Sequence, residues 1–277
     1  MDPTHIGESE SADQGAAYNR IVAHYAAPET LSTALEEVTA EARLRAAAQE
    51  DAGRAANVQT ATTPAVTGTF PSIDISTERL FLRPLDEEDI EAFAEMMNDE
   101  SITAWTSAPQ PYTKADAHAW IADLAPAERA QGRGIVFAVT EFLTQRLVGM
   151  VHLRNTDWRT RSSEIAIVIA PWARCEGYAS EAILGITKWL FHHQKFERLE
   201  LRTGTDNAAA QQVAQRIGCI SEGVLRNAWT ARARTADGEW CEVRTDVIVW
   251  SLLPEDLPDV HEQLADTGSL TSFTERN

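Results

Sequence analysis

The sequence predicts a mixed α+β domain in which helices cover both faces of a mostly antiparallel sheet. Two observations carry this prediction. Short β-rich runs alternate with amphipathic helical runs from about residue 72 to residue 255, and hydrophobic residues make up 44% of the 277-residue chain. Such alternation within one stretch indicates a single mixed domain, and that apolar content is sufficient for a sizeable core.

Seven runs have the features of β-strands. Each combines β-branched or aromatic residues with a period of two or with a short apolar core. In chain order they cover residues 73–85, 134–141, 146–154, 161–169, 198–204, 219–229 and 242–253. The second and third runs predict a hairpin, because a short connection of residues 142–145 separates them. The last two are joined through a turn at residues 236–238.

Four runs have the periodicity of amphipathic helices, and their ends carry capping signals. They cover residues 86–98, 114–124, 180–194 and 207–217. Thr113 is a suitable N-cap for the second helix, and Gly218 is a suitable C-cap for the fourth. We expect Pro126 to limit the second helix, because the residue before a proline disfavours the helical region.

Residues 1–70 differ in composition from the rest, since they are rich in Ala, Glu and Thr and contain no Trp. We therefore divide the chain into an acidic, helical or partly disordered arm (1–57), a linker (58–71), the mixed domain (72–255) and a C-terminal tail (256–277). A shared apolar face favours a helical arm. It is formed by Tyr18, Ile21, Val22 and Tyr25. A disordered acidic tail and a docking or leader-like peptide are the alternatives.

Charge and cysteine content exclude several classes of partner. The formal net charge of −18 argues against duplex nucleic acid or an anionic membrane as partner. An amine-bearing substrate fits this charge, and so does acidity that serves only solubility. Three widely spaced cysteines suggest neither a disulfide framework nor a zinc site, so we expect no metal. Without a signal-like N-terminus or an apolar run of membrane-spanning length, the chain is expected to be soluble and cytoplasmic.

Residues 174–179 form the most informative segment of the chain. They follow the strand predicted at 161–169 and precede the helix predicted at 180–194, so a glycine-containing loop leads into a helix N-terminus. The N–H groups of such a loop and the partial positive charge of the helix end bind phosphates. Gly177 allows the backbone to approach them closely. The segment therefore predicts a site for a polyanionic ligand.

The basic-x-x-Gly-x-small spacing of this loop resembles the pyrophosphate loop of the GNAT superfamily, whose members are acetyl-CoA-dependent N-acyltransferases. Further segments are similar to the branch that includes the ribosomal-protein N-terminal alanine and serine acetyltransferases. They are residues 77–85 and 163–167, Asn207 with 217–219 and 222–226, and Asp246 with 249–253. The resemblance covers about residues 72–255. It implies a GNAT fold, in which the central strands 161–169 and 198–204 of the seven-stranded sheet splay apart.

The resemblance places acetyl-CoA, as a co-substrate, on the first splayed strand and the loop. Backbone groups near Ile167 and Ile169 would bind the pantetheine arm as if it were an added strand. The diphosphate would lie on the loop, which consists of Arg174, Cys175, Glu176, Gly177, Tyr178 and Ala179. Asn207 would contact the cofactor arm. Two alternatives stay open, namely Arg174 as a solvent-facing cation and Asn207 as a helix cap.

The implied reaction is direct transfer of acetyl to a primary amine of a peptide, a protein, or a small molecule such as an antibiotic. Glu164 is the candidate base, because a protonated amine must lose a proton before it attacks. Its alternative roles are those of a solvent-facing strand residue or of an ion-pair partner of Arg154 or Arg161. Candidate acceptor-side residues are Trp105, Trp229 and Asp246, with Trp158 and Trp240 in neighbouring segments. Their alternatives are core or lid packing for the tryptophans and a structural hydrogen bond for Asp246.

The chain departs from the ribosomal-protein enzymes at positions that concern proton transfer. Ala210 stands where they carry a serine, and Trp229 stands where they carry a glutamate. Residues 207–217 also contain no tyrosine. Catalysis would then depend on orientation, a backbone donor and solvent. A longer-chain acyl-CoA N-acyltransferase and a non-catalytic acyl-CoA-binding module are the alternative functions, and a homodimer is left open.

Overall fold

A nine-stranded sheet organises the part of the chain that the structure describes. The structure is a computed structural model, and it describes residues 68–257 and 272–275. The predicted N-terminal arm at 1–57 and most of the linker at 58–71 lie outside the described residues. The strands are β1 (Ile73–Ser76), β2 (Leu80–Arg83), β3 (Ile135–Glu141), β4 (Leu147–Asp157), β5 (Ser162–Ile169), β6 (Arg198–Gly204), β7 (Ile220–Arg234), β8 (Trp240–Leu252) and β9 (Ser272–Glu275).

The order of strands across the sheet is β7-β8-β6-β5-β4-β3-β2-β1-β9. Neighbours are antiparallel except for β5 and β6, which are parallel. Parallel neighbours need a crossover connection, and here the longest helix supplies it. The helices are α1 (Ile90–Met97), α2 (Glu100–Trp105), α3 (Lys114–Ala119), α4 (Ala125–Ala130), α5 (Tyr178–His192) and α6 (Ala208–Arg216). The mixed, mostly antiparallel class predicted from the sequence is confirmed.

The predicted number of strands was wrong, because the sheet has nine strands where the sequence indicated seven. The run at 73–85 is interrupted by a tight turn, in which the Thr77 N–H donates to the Leu80 carbonyl at 2.9 Å. That turn makes β1 and β2 antiparallel neighbours. The ninth strand, β9, lies in the predicted tail and pairs with β1. Its four residues carry too little pattern to indicate a strand without knowledge of the partner.

Pro126 does not end the second predicted helix, so this prediction from the sequence was also wrong. Ala125 keeps helical angles (φ −65°, ψ −42°), and α4 continues to Ala130. A π-helical turn at Trp120–Leu124 connects α3 to α4. The proline therefore lies in the first turn of a new helical segment, where its missing N–H would have no intrahelical partner. Helix α2 and the start of α5 at Tyr178 were also not foreseen.

The core lies between one face of the sheet and α5. Because side chains alternate along a strand, Ile165 faces α5 while its neighbour Glu164 faces the opposite layer. Buried side chains of α5 form its side of this core, and they include Ala182, Ile183, Ile186, Trp189 and Leu190. Phe70, in the predicted linker, is 2% exposed and its ring centroid lies 4.8 Å from that of Trp158. The domain boundaries drawn from the sequence stay a prediction.

The ladder between β5 and β6 stops after three residue pairs, which end at Glu164 and Glu200. Beyond this point β5 stays paired with β4 as far as Ile169, and β6 stays paired with β8 as far as Gly204. We call the opening between Ile165–Ile169 and Leu201–Gly204 the cleft. It is the feature of the fold that positions the site. Within residues 68–257 and 272–275, no helix is both long and apolar enough to cross a membrane.

Candidate active site

The cleft presents one edge of β5 without a strand partner among the described residues. A strand edge of this kind offers backbone N–H and C=O groups to an extended ligand. Ile167 and Ile169 are partly exposed and pack on the core side, whereas Ala166 and Val168 lie on the Glu164 face. The predicted pantetheine-binding segment therefore borders the cleft, as the prediction requires.

The loop at the open end of the cleft combines two left-handed residues with a helix N-terminus. Cys175 has φ +65° and Gly177 has φ +83°. Gly177 is the N-cap of α5, and no side chain caps the helix. The first N–H groups of a helix have no intrahelical partner, so those of Tyr178 and Ala179 are available to a ligand. This is the geometry of an anion site.

Arg174 makes an ion pair across the molecule rather than pointing freely into solvent. Its Nη2 lies 2.5 Å from Oδ1 of Asp99, the N-cap of α2. Burial opposes ionisation of Asp99, but hydrogen bonds from Arg174, Ser101 and the Ile102 N–H outweigh it and lower the pKa of this carboxyl. The pair joins the loop to the helix that carries Trp105. The sequence did not indicate it, because 75 residues separate the partners.

Asn207 caps α6, as the alternative interpretation proposed. Its Oδ1 accepts a hydrogen bond from the Ala210 N–H at 3.1 Å. The Nδ2 group of the same side chain makes no hydrogen bond to another described residue, so it remains available as a donor. Capping and ligand contact are therefore compatible at this residue.

Glu164 lies at the closed end of the cleft, is 4% exposed, and is surrounded by donors. Its Oε1 accepts from Arg154 Nε at 3.0 Å, and its Oε2 accepts from Asn155 Nδ2 at 3.0 Å and lies 3.5 Å from Arg202 Nε. Burial raises the pKa of this carboxyl, but the two arginines outweigh that effect and lower it. A carboxylate held in this way is a weak proton acceptor. Of the two ion pairs suggested from the sequence, the structure contains the one with Arg154.

Two of the four candidate tryptophans lie on the Glu164 face of the sheet. Trp105, at the end of α2, packs directly on Gly204, since a Cβ added at Gly204 would lie 2.2 Å from Trp105 Cζ3. Trp229 stacks with Arg154, whose Cζ lies 5.7 Å from the ring centroid. Trp158 instead packs in the core near Phe70. Trp240 stacks with Arg234 at 4.3 Å in the β7–β8 hairpin.

Asp246 has a structural role in the β7–β8 hairpin. Its Oδ1 accepts from the Asn227 N–H at 2.7 Å, and its carbonyl accepts from the Thr205 N–H at 3.1 Å. Asn227 lies in the irregular stretch of β7 between Leu225 and Trp229. The carboxylate thus fixes the backbone that presents Trp229. No group of three or more His, Cys, Asp or Glu side chains suited to a metal ion occurs among the described residues.

A free strand edge that opens toward an uncapped helix N-terminus is typical of proteins that bind an extended ligand with an anionic group. Comparison with known proteins identifies the family. The chain belongs to the GNAT acetyltransferases, because the model of the acetyltransferase (GNAT) domain matches residues 79–220. GNAT acetyltransferases use acetyl-CoA, and this protein is accordingly an acyltransferase that transfers acetyl to an amine.

Individual relatives are distant. The chain is 27% identical over 157 residues to the uncharacterized N-acetyltransferase YoaA of Bacillus subtilis, a match that covers 57% of this chain and 87% of the relative. It is 24% identical over 159 residues to spermidine N(1)-acetyltransferase of Vibrio cholerae, with 57% and 89% covered.

Solved structures share the fold. Mycobacterium smegmatis RimJ, in complex with CoA-disulfide, has a TM-score of 0.59 at 20% identity, with 71% of this chain and 95% of the other covered. A candidate ribosomal-protein-serine acetyltransferase from Vibrio cholerae has a TM-score of 0.54 at 23% identity, with 66% and 99% covered. The GNAT membership predicted from the sequence is confirmed.

Proposed function

We propose that this protein acetylates the α-amino group of a peptide or protein, or a similarly weakly basic amine of a small molecule, by direct attack on bound acetyl-CoA. The observation that carries the donor half of the proposal is the cleft, which ends at the uncapped N-terminus of α5. In this proposal the pantetheine arm lies along Ile165–Ile169 and the diphosphate lies on the N–H groups of the loop. Asn207 Nδ2 contributes a further donor.

The chemical step needs an unprotonated amine. Its nitrogen forms a bond to the acetyl carbon, the carbon–sulfur bond breaks, the nitrogen loses one proton to solvent, and the departing CoA thiolate takes one up. A backbone N–H on the free edge of β5 is placed to stabilise the developing oxyanion. Since Glu164 already neutralises Arg154 and Arg202, we propose that it acts chiefly by orienting them. The role of Glu164 as a base stays a prediction from the sequence.

We call the face of the sheet that carries Glu164 the acceptor face, and its charges favour a weakly basic amine. The carboxylates near the cleft are engaged, Glu164 with two arginines, Asp99 with Arg174 and Glu100 with Arg234. A polycationic amine would have to compete with those arginines. An α-amine has a pKa of about 8 and a lysine amine one of about 10.4, so at pH 7 the neutral fraction of the α-amine is roughly 200-fold greater. The weaker the amine, the less the reaction depends on a strong base.

The aromatic side chains on the acceptor face agree with a peptidic acceptor. Trp105 and Trp229 border the same face as Glu164, and flat aromatic surfaces bind the side chains and backbone of a peptide. Acceptor selectivity would then come from the residues that follow the amine, which a small polyamine lacks.

The test is release of free CoA thiol from acetyl-CoA with a panel of amines. We expect the highest kcat/KM with peptides that begin with a free α-amine, and no turnover with the same peptides after Nα-acetylation. Faster turnover of spermidine, or of lysine in an Nα-acetylated peptide, would overturn the assignment of the acceptor. Tight binding of acetyl-CoA without turnover of any amine would establish the binding module instead.

A further inference from the structure

Arg79, in the turn between β1 and β2, contacts the backbone of the cofactor loop. We propose that Arg79 and Glu181 together are positioning residues, which aim the N–H groups of the loop at the diphosphate. The inference rests on the proposed binding of acetyl-CoA. It assigns a role to the segment at 77–85, which the sequence singled out and which lines neither the cleft nor the acceptor face.

Glu181 joins the turn to the first part of α5 through three hydrogen bonds. Thr77 Oγ1 donates to Glu181 Oε1 at 2.6 Å, and the Arg79 backbone N–H donates to the same oxygen at 2.8 Å. Arg79 Nε donates to Glu181 Oε2 at 2.7 Å. One carboxylate therefore holds both the backbone and the side chain of the turn.

The remaining arm of the guanidinium reaches the loop itself. Arg79 Nη1 donates to the carbonyl oxygen of Glu176 at 3.0 Å. In a trans peptide the C=O and the following N–H point in opposite directions. Holding the Glu176 carbonyl toward Arg79 therefore directs the Gly177 N–H away from it, on the side from which a ligand approaches the uncapped helix. Gly177 is the left-handed residue at this point, with φ +83°.

A second contact holds the same turn of backbone. The Arg79 guanidinium lies 5.0 Å from the ring centroid of Tyr178, and the Tyr178 hydroxyl donates to Glu141 Oε1 at 3.0 Å. The β1–β2 turn and the end of β3 thus hold the residues on either side of the Gly177 N–H. The loop is preorganised by neighbours that lie behind it.

Arg79 acts here through geometry and not through free charge. Its Nε and Nη2 are both engaged by Glu181, and the salt bridge to Oε2 of that residue measures 2.7 Å. The carboxylate neutralises the guanidinium, so little charge is left for a phosphate. This distinguishes the proposal from direct phosphate binding, which a lysine at this position would preserve. A lysine cannot reproduce the planar fork that reaches a carboxylate and a carbonyl together.

The test compares Arg79→Gln, Arg79→Lys and Glu181→Gln with the wild-type chain by calorimetric binding of acetyl-CoA. We expect the Kd for acetyl-CoA to rise about tenfold in all three, the loss that accompanies removal of one charge-assisted hydrogen bond. With saturating acetyl-CoA, kcat should stay within about twofold of wild type. S-acetyl-pantetheine, which lacks the diphosphate, should be used equally well by variants and wild type. Lys114→Gln, which removes the exposed ion pair with Glu91, is the control. It should change neither the Kd for acetyl-CoA nor the use of S-acetyl-pantetheine.

Three results would overturn the inference. Wild-type affinity in Arg79→Lys would show direct binding of phosphate by charge. Equal losses with both donors, together with a reduced kcat, would show a general structural role. Unchanged affinity in all variants would show that the loop needs no support. Failure of the wild-type chain to bind acetyl-CoA would instead contradict the proposed function itself, so the two outcomes are separable.

Discussion

The two sides of β5 are built on opposite principles. On the donor side, the cleft edge and the N-terminus of α5 offer backbone N–H groups that have no partner among the described residues. On the acceptor side, the charged groups are already paired, as Glu164 with Arg154 shows. A surface of unsatisfied backbone is ready for a ligand of fixed shape, whereas a surface of paired side chains excludes charge and selects by shape. The comparison explains why the sequence indicates the donor and leaves the acceptor open.

Glu164→Gln should break the acceptor side most strongly. Removing the carboxylate leaves Arg154 without its anion and Arg202 with Glu200 alone, and we expect the free energy of unfolding to fall by about 2 kcal/mol at pH 7. If Glu164 mainly orients the arginines, kcat falls less than about tenfold; loss of a true base would cost about 10²- to 10⁴-fold. Urea unfolding and steady-state kinetics measure the two effects.

The same variant gives a pH dependence of defined sign. The folded state lowers the pKa of Glu164, so its stabilising contribution is complete above the unfolded value of about 4.3 and is lost as pH falls through the lower, folded value. The difference in stability between wild type and variant should therefore shrink below about pH 4. Arg161→Gln is the control, because the Arg161 guanidinium stacks on the Trp158 ring, whereas Glu164 pairs with Arg154. An equal effect of the two substitutions would contradict the assigned pairing.

Gly204→Ala should separate the two sides more sharply, with a smaller effect. The added Cβ would meet the Trp105 ring at 2.2 Å, so the indole must move from its place at the end of β6. We expect kcat/KM for the amine to fall about tenfold, while the Kd for acetyl-CoA changes less than about twofold. Gly238→Ala is the control for backbone strain without a clash, since Gly238 has φ +82° and a Cβ there meets nothing within 4 Å; it should lower stability and leave both constants unchanged. Parallel losses in both constants would show that Trp105 does not serve the acceptor alone.

Asp99→Asn should have the smallest effect, and it tests the contact between the sides. The substitution weakens the ion pair and releases Arg174 toward the diphosphate, so we predict a two- to threefold tighter Kd for acetyl-CoA, of the order expected for a partly exposed ion pair. The double variant Asp99→Asn, Arg174→Gln should lose that gain. If affinity instead falls in Asp99→Asn, the pair supports the loop, and Arg174 has no direct part in binding phosphate.

Local signals were sufficient for much of the fold. Thr113 caps its helix as predicted, and Asn207 caps its helix as the alternative interpretation proposed, because a cap involves residues only three positions apart. The position of the loop between a strand and a helix followed from the succession of elements along the chain, whereas the order of the strands across the sheet was not predicted. The split into β1 and β2, the added strand β9 and the passage of the helix through Pro126 were missed, since each depends on a partner or a turn type distant from the local pattern.

The same limit applies to the site, because its local features were predicted and its long-range contacts were not. The loop was found because its glycine and its helix start are adjacent in sequence. The choice of Arg154 over Arg161 as the partner of Glu164 depends on the β4–β5 register, which places Arg154 directly opposite Glu164. Arg79 and Glu181 are 102 residues apart. Such contacts are decided by the assembled sheet, and no single segment encodes them.

The early end of the β5–β6 ladder has a mechanical consequence. Only three residue pairs connect β5 to β6, and the last of them joins Glu164 and Glu200. The sheet therefore divides at this point into two parts, one formed by β7, β8 and β6 and the other beginning with β5. In the proposed complex, the pantetheine arm occupies the cleft between these two parts. Acetyl-CoA then joins the two parts of the sheet as well as serving as a substrate, and each turnover that releases CoA leaves the cleft open again.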